Sequence, residues 1–287
     1  MKMKSILAVL ATAMTAAVSV TAFASGGPEI KYAGATASRT DLESLQRGAR
    51  LFVNHCLNCH SAQYVRYKTL MDLNLTEDQV KQNLMFGAEK IGETMKTSIR
   101  PADAKEWFGA VPPDLSVMAR SYTTEKLAGY LRSFYQDESR PTGWNNLVSP
   151  NIGMPHALAE LSGPTKLVTK SFTVDGKELK TDHDAEGKAK GEFIAAGTMA
   201  SFEHHSKKVD GKTINTYVVN TIANAGPGAM TPQQYDHAVA DLVNFMDFIG
   251  EPHKAKRVQI GILMMFLLAF LLVAAYALKK EYWRDVH

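Results

Sequence analysis

The fold of this chain is pinned most tightly by five residues, Cys56-Leu57-Asn58-Cys59-His60. They carry the C-x-x-C-H spacing of covalent c-type haem attachment, and a chain that holds a haem must fold around it. On a helix, Cys56 and Cys59 stand three apart and Cys56 and His60 four apart, so the three side chains share one face. Two thioethers can then hold the porphyrin while the His60 imidazole reaches the iron as proximal ligand. A thioredoxin-like redox pair would want a βαβ context, which the flanking pattern lacks. Half of a zinc site would want a second ligand pair, and the chain has no third cysteine. A single motif of this kind implies one haem c.

The two ends of the chain say where such a haem would work. Residues 1–24 begin with Lys2 and Lys4, run through a stretch of apolar and small residues, and offer Ala22-Phe23-Ala24 before Ser25. That is the pattern of a cleaved secretory signal, and export to an oxidising compartment suits haem attachment. Residues 258–278 contain Gln259 as their one strongly polar side chain. At about 1.5 Å per residue, a helix of that length spans roughly 30 Å, the thickness of a bilayer core. A buried soluble helix rarely stays apolar on every face for so long. Tyr276, Tyr282 and Trp283 stand where an interfacial aromatic belt would lie. Lysines and arginines balance across the span, so the signal decides the orientation. Residues 25–257 are expected outside the cytoplasmic membrane, 258–278 within it and 279–287 in the cytoplasm.

The full chain carries a net charge of +3, but residues 25–253 carry a net of −3. Nucleic acid is thereby excluded as a partner, because binding it needs a concentrated positive face. With 45% hydrophobic and 21% charged residues, the composition is that of a globular protein.

Two helices should frame the haem. Thr40 and Glu43 form a capping box, followed by Leu42, Leu45, Ala49, Phe52, Val53 and Cys56 at helical spacing. Near the other end, Thr231, Pro232 and Gln234 supply a cap, a first-turn proline and a box partner. Tyr235, Val239, Leu242, Val243, Met246 and Ile249 then make an apolar stripe, stopped by Gly250 and Pro252. The stripe reads as core packing against the first helix.

The sixth iron position has thirteen methionines and eight further histidines to choose from. Met71, Met85, Met95, Met118 and Met246 fall in helical stretches, where filling core gaps is the usual role. Two loop methionines flanked by Gly and Pro remain, Met154 in Ile152-Gly153-Met154-Pro155 and Met230 in Gly228-Ala229-Met230-Thr231-Pro232. Met230 has an alternative task as a hydrophobic staple onto Tyr235, so Met154 leads and Met230 follows. His55 should point away from the haem face, and His156 should be a surface or supporting group. With methionine in place no position is left for oxygen or peroxide, and the chain is an electron carrier.

Four segments in order give a resemblance to the cytochrome c1 family, the membrane-anchored haem subunits of the ubiquinol–cytochrome c reductase (bc1) complex. Gln46-Arg47-Gly48 leading into Cys56 to His60 and Ser61-Ala62-Gln63-Tyr64-Val65 is similar to the family's attachment segment. Ala110-Val111-Pro112-Pro113-Asp114-Leu115-Ser116, then Arg120, resembles its A-L-P-P-D-L-S stretch. Ile152-Gly153-Met154-Pro155 falls where the family carries its axial methionine, and Met230-Thr231 through Lys279-Lys280 follows its closing pattern.

The resemblance implies a mainly α fold, a class I cytochrome c-like haem domain with one C-terminal transmembrane helix. It implies that Pro112 supplies the carbonyl that orients His60, and that Arg120 pairs with a haem propionate. Asp114 would cap a helix begun by the two prolines. The implied work is relay of single electrons from a Rieske iron–sulfur protein to a cytochrome c, beside a cytochrome b, in a dimeric multi-subunit complex of a bacterial inner membrane. The haem domain would face the periplasm. The alternatives are an anchored cytochrome feeding a terminal oxidase or nitric oxide reductase, or an exported haem peroxidase with an open sixth site.

Residues 161–225 depart from the family pattern and read as a β-rich insertion. Asp175-Gly176 and Asp210-Gly211 each sit between alternating segments, which predicts two hairpins. His204 and His205 lack carboxylate or cysteine partners and read as surface residues.

Overall fold

The computed structural model describes residues 40–175, 200–209 and 212–284. The expected signal at residues 1–24 lies outside the described residues, as do the last three residues of the tail.

Helix α1 (Leu42–Leu51) is capped one residue later than the sequence suggests. Asp41, not Thr40, accepts the Ser44 amide at 3.0 Å. An aspartate there satisfies an otherwise unpaired N–H and places negative charge at the positive helix end. Past Leu51 the helix loosens into a π turn, Phe52–Cys56, in which the Leu57 amide donates to the Phe52 carbonyl five residues back. Helix α7 (Pro232–Gly250) starts as its sequence dictates. Thr231 accepts the Gln234 amide at 3.3 Å, and Gln234 accepts the Thr231 amide at 2.9 Å. All six residues of its expected stripe are buried.

The two helices cross at very short range. A Cβ on Gly48 would lie 2.1 Å from the Asp241 carbonyl oxygen and 2.7 Å from Phe245 Cβ, so only glycine fits. Arg47 holds Asp241 through hydrogen bonds of 2.6 and 3.2 Å, and Asn244 donates to Ser44 at 3.0 Å. Below the crossing Phe52 meets Phe245, ring centroids 5.4 Å apart.

Smaller elements complete the domain: β1 (Ala62–Arg66), a 3₁₀ segment (Tyr67–Leu73), α2 (Glu77–Asn83), β2 (Thr94–Met95) and α3 (Pro101–Phe108). They are followed by α4 (Met118–Ser121), α5 (Thr124–Arg132), β3 (Phe134–Gln136), β4 (Trp144–Asn146) and α6 (Ala159–Ser162). Strand β1 pairs antiparallel with β2, and β3 with β4. Tyr67, Leu70, Leu73, Val80 and Met95 join Leu45, Phe52, Leu242 and Phe245 in one buried cluster.

The insertion is a three-stranded antiparallel sheet of β5 (Thr165–Asp175), β6 (Ala200–Val209) and β7 (Lys212–Asn224), in the order β5-β7-β6. Strands β6 and β7 pair from Val209 opposite Lys212, as the second Asp-Gly predicts. The first Asp-Gly stands at the edge of the described residues, and the described partner of β5 is β7, from Thr165 opposite Asn224 to Asp175 opposite Ile214. A strand beginning at Lys177 would fall outside the described residues. The sheet leaves and re-enters the haem domain at one narrow neck. Gly163 has φ +76°, and a Cβ on it would lie 2.6 Å from the Gly228 nitrogen. Ala225 donates to Pro164 at 2.8 Å, Ala229 to Glu160 at 2.9 Å and Met230 to Leu161 at 3.1 Å, closing the neck.

Helix α8 (Lys254–Tyr282) follows α7 after only Glu251, Pro252 and His253. Within Arg257–Tyr282, the most apolar 18-residue window has a mean hydropathy of 2.6, and none of that window is buried against the rest of the chain. Length and apolarity both suit a membrane span.

Candidate haem site

A cavity of about 320 Å³ opens where α1, α5 and α7 meet two long loops. Its wall is almost wholly apolar. From the end of α1 come His55 and Cys56, then Cys59 and His60. The loop before α4 adds Pro112 and Pro113, the loop before α6 adds Met154, and α7 adds Leu242 and Met246. The structure therefore brings the two thiols, the imidazole and the leading thioether to one space, each from its own place in the chain. Neither cysteine is engaged in a disulfide, so both sulfurs are available for thioether bonds. Burial pushes Cys56 up to about 12 and raises Cys59. This donor set in an apolar cavity fits a c-type haem.

The orientation of His60 is set from below. Its Nδ1 lies 2.8 Å from the Pro113 carbonyl. A carbonyl can only accept, so Nδ1 carries the proton and Nε2 keeps its lone pair for a metal. The accepting carbonyl is thus that of Pro113 and not of Pro112, which lines the cavity beside it. Burial pulls the His60 imidazole below its ordinary value, and the Pro113 bond and the Asp114 charge offset part of that.

Pro113 is held by zipping its segment onto the strand that follows the haem motif. Leu115 donates to the Ser61 carbonyl at 2.8 Å, and Tyr64 to Ser116 Oγ at 3.0 Å. Asp114 does not cap a helix. Its carboxylate accepts the Gln63 amide at 2.8 Å and the Ser116 amide at 2.9 Å, fixing the turn that presents Pro113.

The expectation for His55 needs correction. His55 is half-buried and lines the cavity, because the π turn rotates it from the place an α-helix would give. His156 is buried, not superficial. It stacks on Phe134 with centroids 4.8 Å apart, meets Trp144 edge-on, and pairs with Ser162 through Nε2 at 3.0 Å. Burial lowers it to about 4. Met118 and Met246 line the cavity as well as the core, whereas Met230 does not reach it. Arg120 is exposed at the end of α4 with its stem over Gly250, and it is not among the cavity-lining residues.

One participant has no counterpart in the sequence reading. Tyr130 of α5 lines the cavity, and its hydroxyl donates to the Met154 sulfur at 3.1 Å. Burial pushes this phenol well above the usual tyrosine range, so it stays a donor. A tyrosine on an amphipathic helix carries no sequence signal beyond core packing.

The model of the cytochrome C1 family matches residues 32–162 and 226–286, passing over the inserted sheet. The ammonia monooxygenase gamma subunit of Nitrosomonas europaea is 38% identical over 263 residues, 92% of each chain. Cytochrome c1 of Allochromatium vinosum is 36% identical over 265 residues, 92% of this chain and 93% of its own. Cytochrome c1 of Rhodospirillum rubrum is 25% identical over 86% of this chain and 84% of its own.

Proposed function

The chain belongs to the cytochrome c1 family, and from that premise we propose how its own residues serve the electron relay of a quinol-oxidising complex. It carries one covalently bound haem c and works as the membrane-anchored relay subunit of the ubiquinol–cytochrome c reductase complex. When bound, the haem supplies a one-electron couple between ferric and ferrous iron.

Everything else falls to the protein. Cys56 and Cys59 would hold the group by thioether bonds, and His60 would ligate the iron through Nε2, oriented by the Pro113 carbonyl. Met154 would fill the sixth position. The observation that carries this reading is that a loop methionine shares one apolar cavity with the whole Cys-Cys-His motif. Were His60 and Met154 both to ligate the iron, no site would be left for oxygen or peroxide, which favours a carrier over a peroxidase. Leu127, Leu131 and Leu242 line the cavity and would keep water from the buried face of the group. Val111 and Tyr122 line it yet reach solvent, giving electrons an apolar edge by which to enter and leave.

The electron donor in this proposal is a Rieske iron–sulfur protein and the acceptor a cytochrome c. The haem domain faces the periplasm of a bacterial inner membrane, a reading supported by the signal pattern at residues 1–24 and by α8. The test is purification of the tagged full chain from its native membrane. A cytochrome b and a Rieske protein should come with it, and quinol should reduce its haem only while the Rieske protein is present. Co-purification with a terminal oxidase alone would overturn the reading.

A further inference from the structure

We infer that Tyr130 is a positioning residue for the sixth iron ligand, its hydroxyl orienting the Met154 sulfur and raising the reduction potential. The inference rests on Met154 being that ligand. A thioether sulfur is a weak hydrogen-bond acceptor with two lone pairs. When one pair is given to iron the other can take the Tyr130 proton, and the 3.1 Å bond between Tyr130 Oη and Met154 Sδ is of that kind. The rotation of Met154 about its own side chain is then fixed before the iron is met.

Tyr130 is itself held from both sides. Its ring meets Phe134 edge-on at 5.2 Å. Its carbonyl accepts from Ser133 Oγ at 3.2 Å and from Asn146 Nδ2 at 2.8 Å. The other end of the Asn146 side chain accepts the Val148 and Ser149 amides at 2.9 and 3.0 Å, at the start of the loop that leads to Met154. Asn145 accepts the Asn151 amide at 2.8 Å further along the same loop. The donor and the acceptor of the thioether bond are thus tied to one scaffold, with the bond between them as its purpose-bearing link.

The electronic consequence has a definite sign. A proton donated to sulfur draws density away from it, and the sulfur becomes a poorer donor to ferric iron. Ferrous iron is favoured and the potential rises, since hydrogen bonds to ligands are among the levers a protein has on its metal.

The test is redox titration and spectroscopy of the full chain in membranes. Tyr130→Phe keeps the ring and should load haem normally, retain methionine ligation and show a lowered midpoint potential. Tyr135→Phe, at a tyrosine of β3 that does not line the cavity, should leave the potential in place. In a Met154→Leu background, Tyr130→Phe should add no further shift, because the group it acts through is gone. An unchanged potential in Tyr130→Phe alone, or the same shift in both backgrounds, would overturn the inference while leaving Met154 as ligand. A native spectrum in Met154→Leu would overturn the ligand assignment, and the role of Tyr130 with it.

Discussion

A thioether on a loop and one on a helix are the same chemical group, so position decides which meets the iron. Met118, Met154 and Met246 all line the cavity, and Met230 stands outside it. Met154→Leu should leave the haem attached through Cys56 and Cys59 but lower its potential by a clear fraction of the roughly 0.8 V range that axial ligands command. It should also open the iron to carbon monoxide. Met230→Leu should change neither spectrum nor potential, and an altered spectrum there would sink the assignment. The haem motif is legible in sequence because covalent attachment demands fixed spacing. The carbonyl under His60 is not, because Pro112 and Pro113 differ only in where their backbone oxygens point. That is decided by the hydrogen bonds of Asp114 and Leu115 to the strand after the motif. Tyr130 is hidden for a similar reason: its partner lies 24 residues away, on a loop with no period to betray it.

At the scale of elements, the crossing of α1 and α7 is the joint on which the cavity depends, since Cys56 ends one helix and Leu242 and Met246 sit on the other. Gly48→Ala puts a methyl group into the Asp241 carbonyl. Overpacking of this kind typically costs about 1–3 kcal/mol, and backbone on the receiving side places this case at the upper end. Chemical denaturation should show the lowered midpoint, and an unchanged midpoint would mean the helices can part without loss. Both helices are readable from their apolar stripes, and α7 from its Thr231 cap. The π turn is not, because one extra residue in a turn leaves no mark on a seven-residue pattern. The pairing of β5 also escapes the sequence. An Asp-Gly pair encodes a local turn, whereas the register of β5 against β7 joins residues such as Thr165 and Asn224 that only the folded neck brings together.

At the scale of the molecule, the haem domain and the membrane helix divide the labour. Truncation before Val258 should yield a soluble, haem-loaded domain with a native spectrum, because no residue of the span touches the cavity. Loss of haem loading despite normal export would show that α8 belongs to the folding unit. Delivery of electrons to a basic cytochrome c should slow modestly as salt rises. Residues 25–253 carry a net of −3, which two ionised propionates extend to about −5, a weak bias for steered encounters. Stopped-flow rates across an ionic-strength series would show it, and a flat or rising rate would point to an acidic or apolar-docking acceptor. The three-residue step from α7 to α8, braced by the pair of Arg257 with Glu251, has a further effect. It acts as a short mooring. Helix α7 both walls the cavity and is followed after only three residues by the anchor, so the redox centre is tethered close to the lipid surface. Whatever carries electrons on either side has to reach it there.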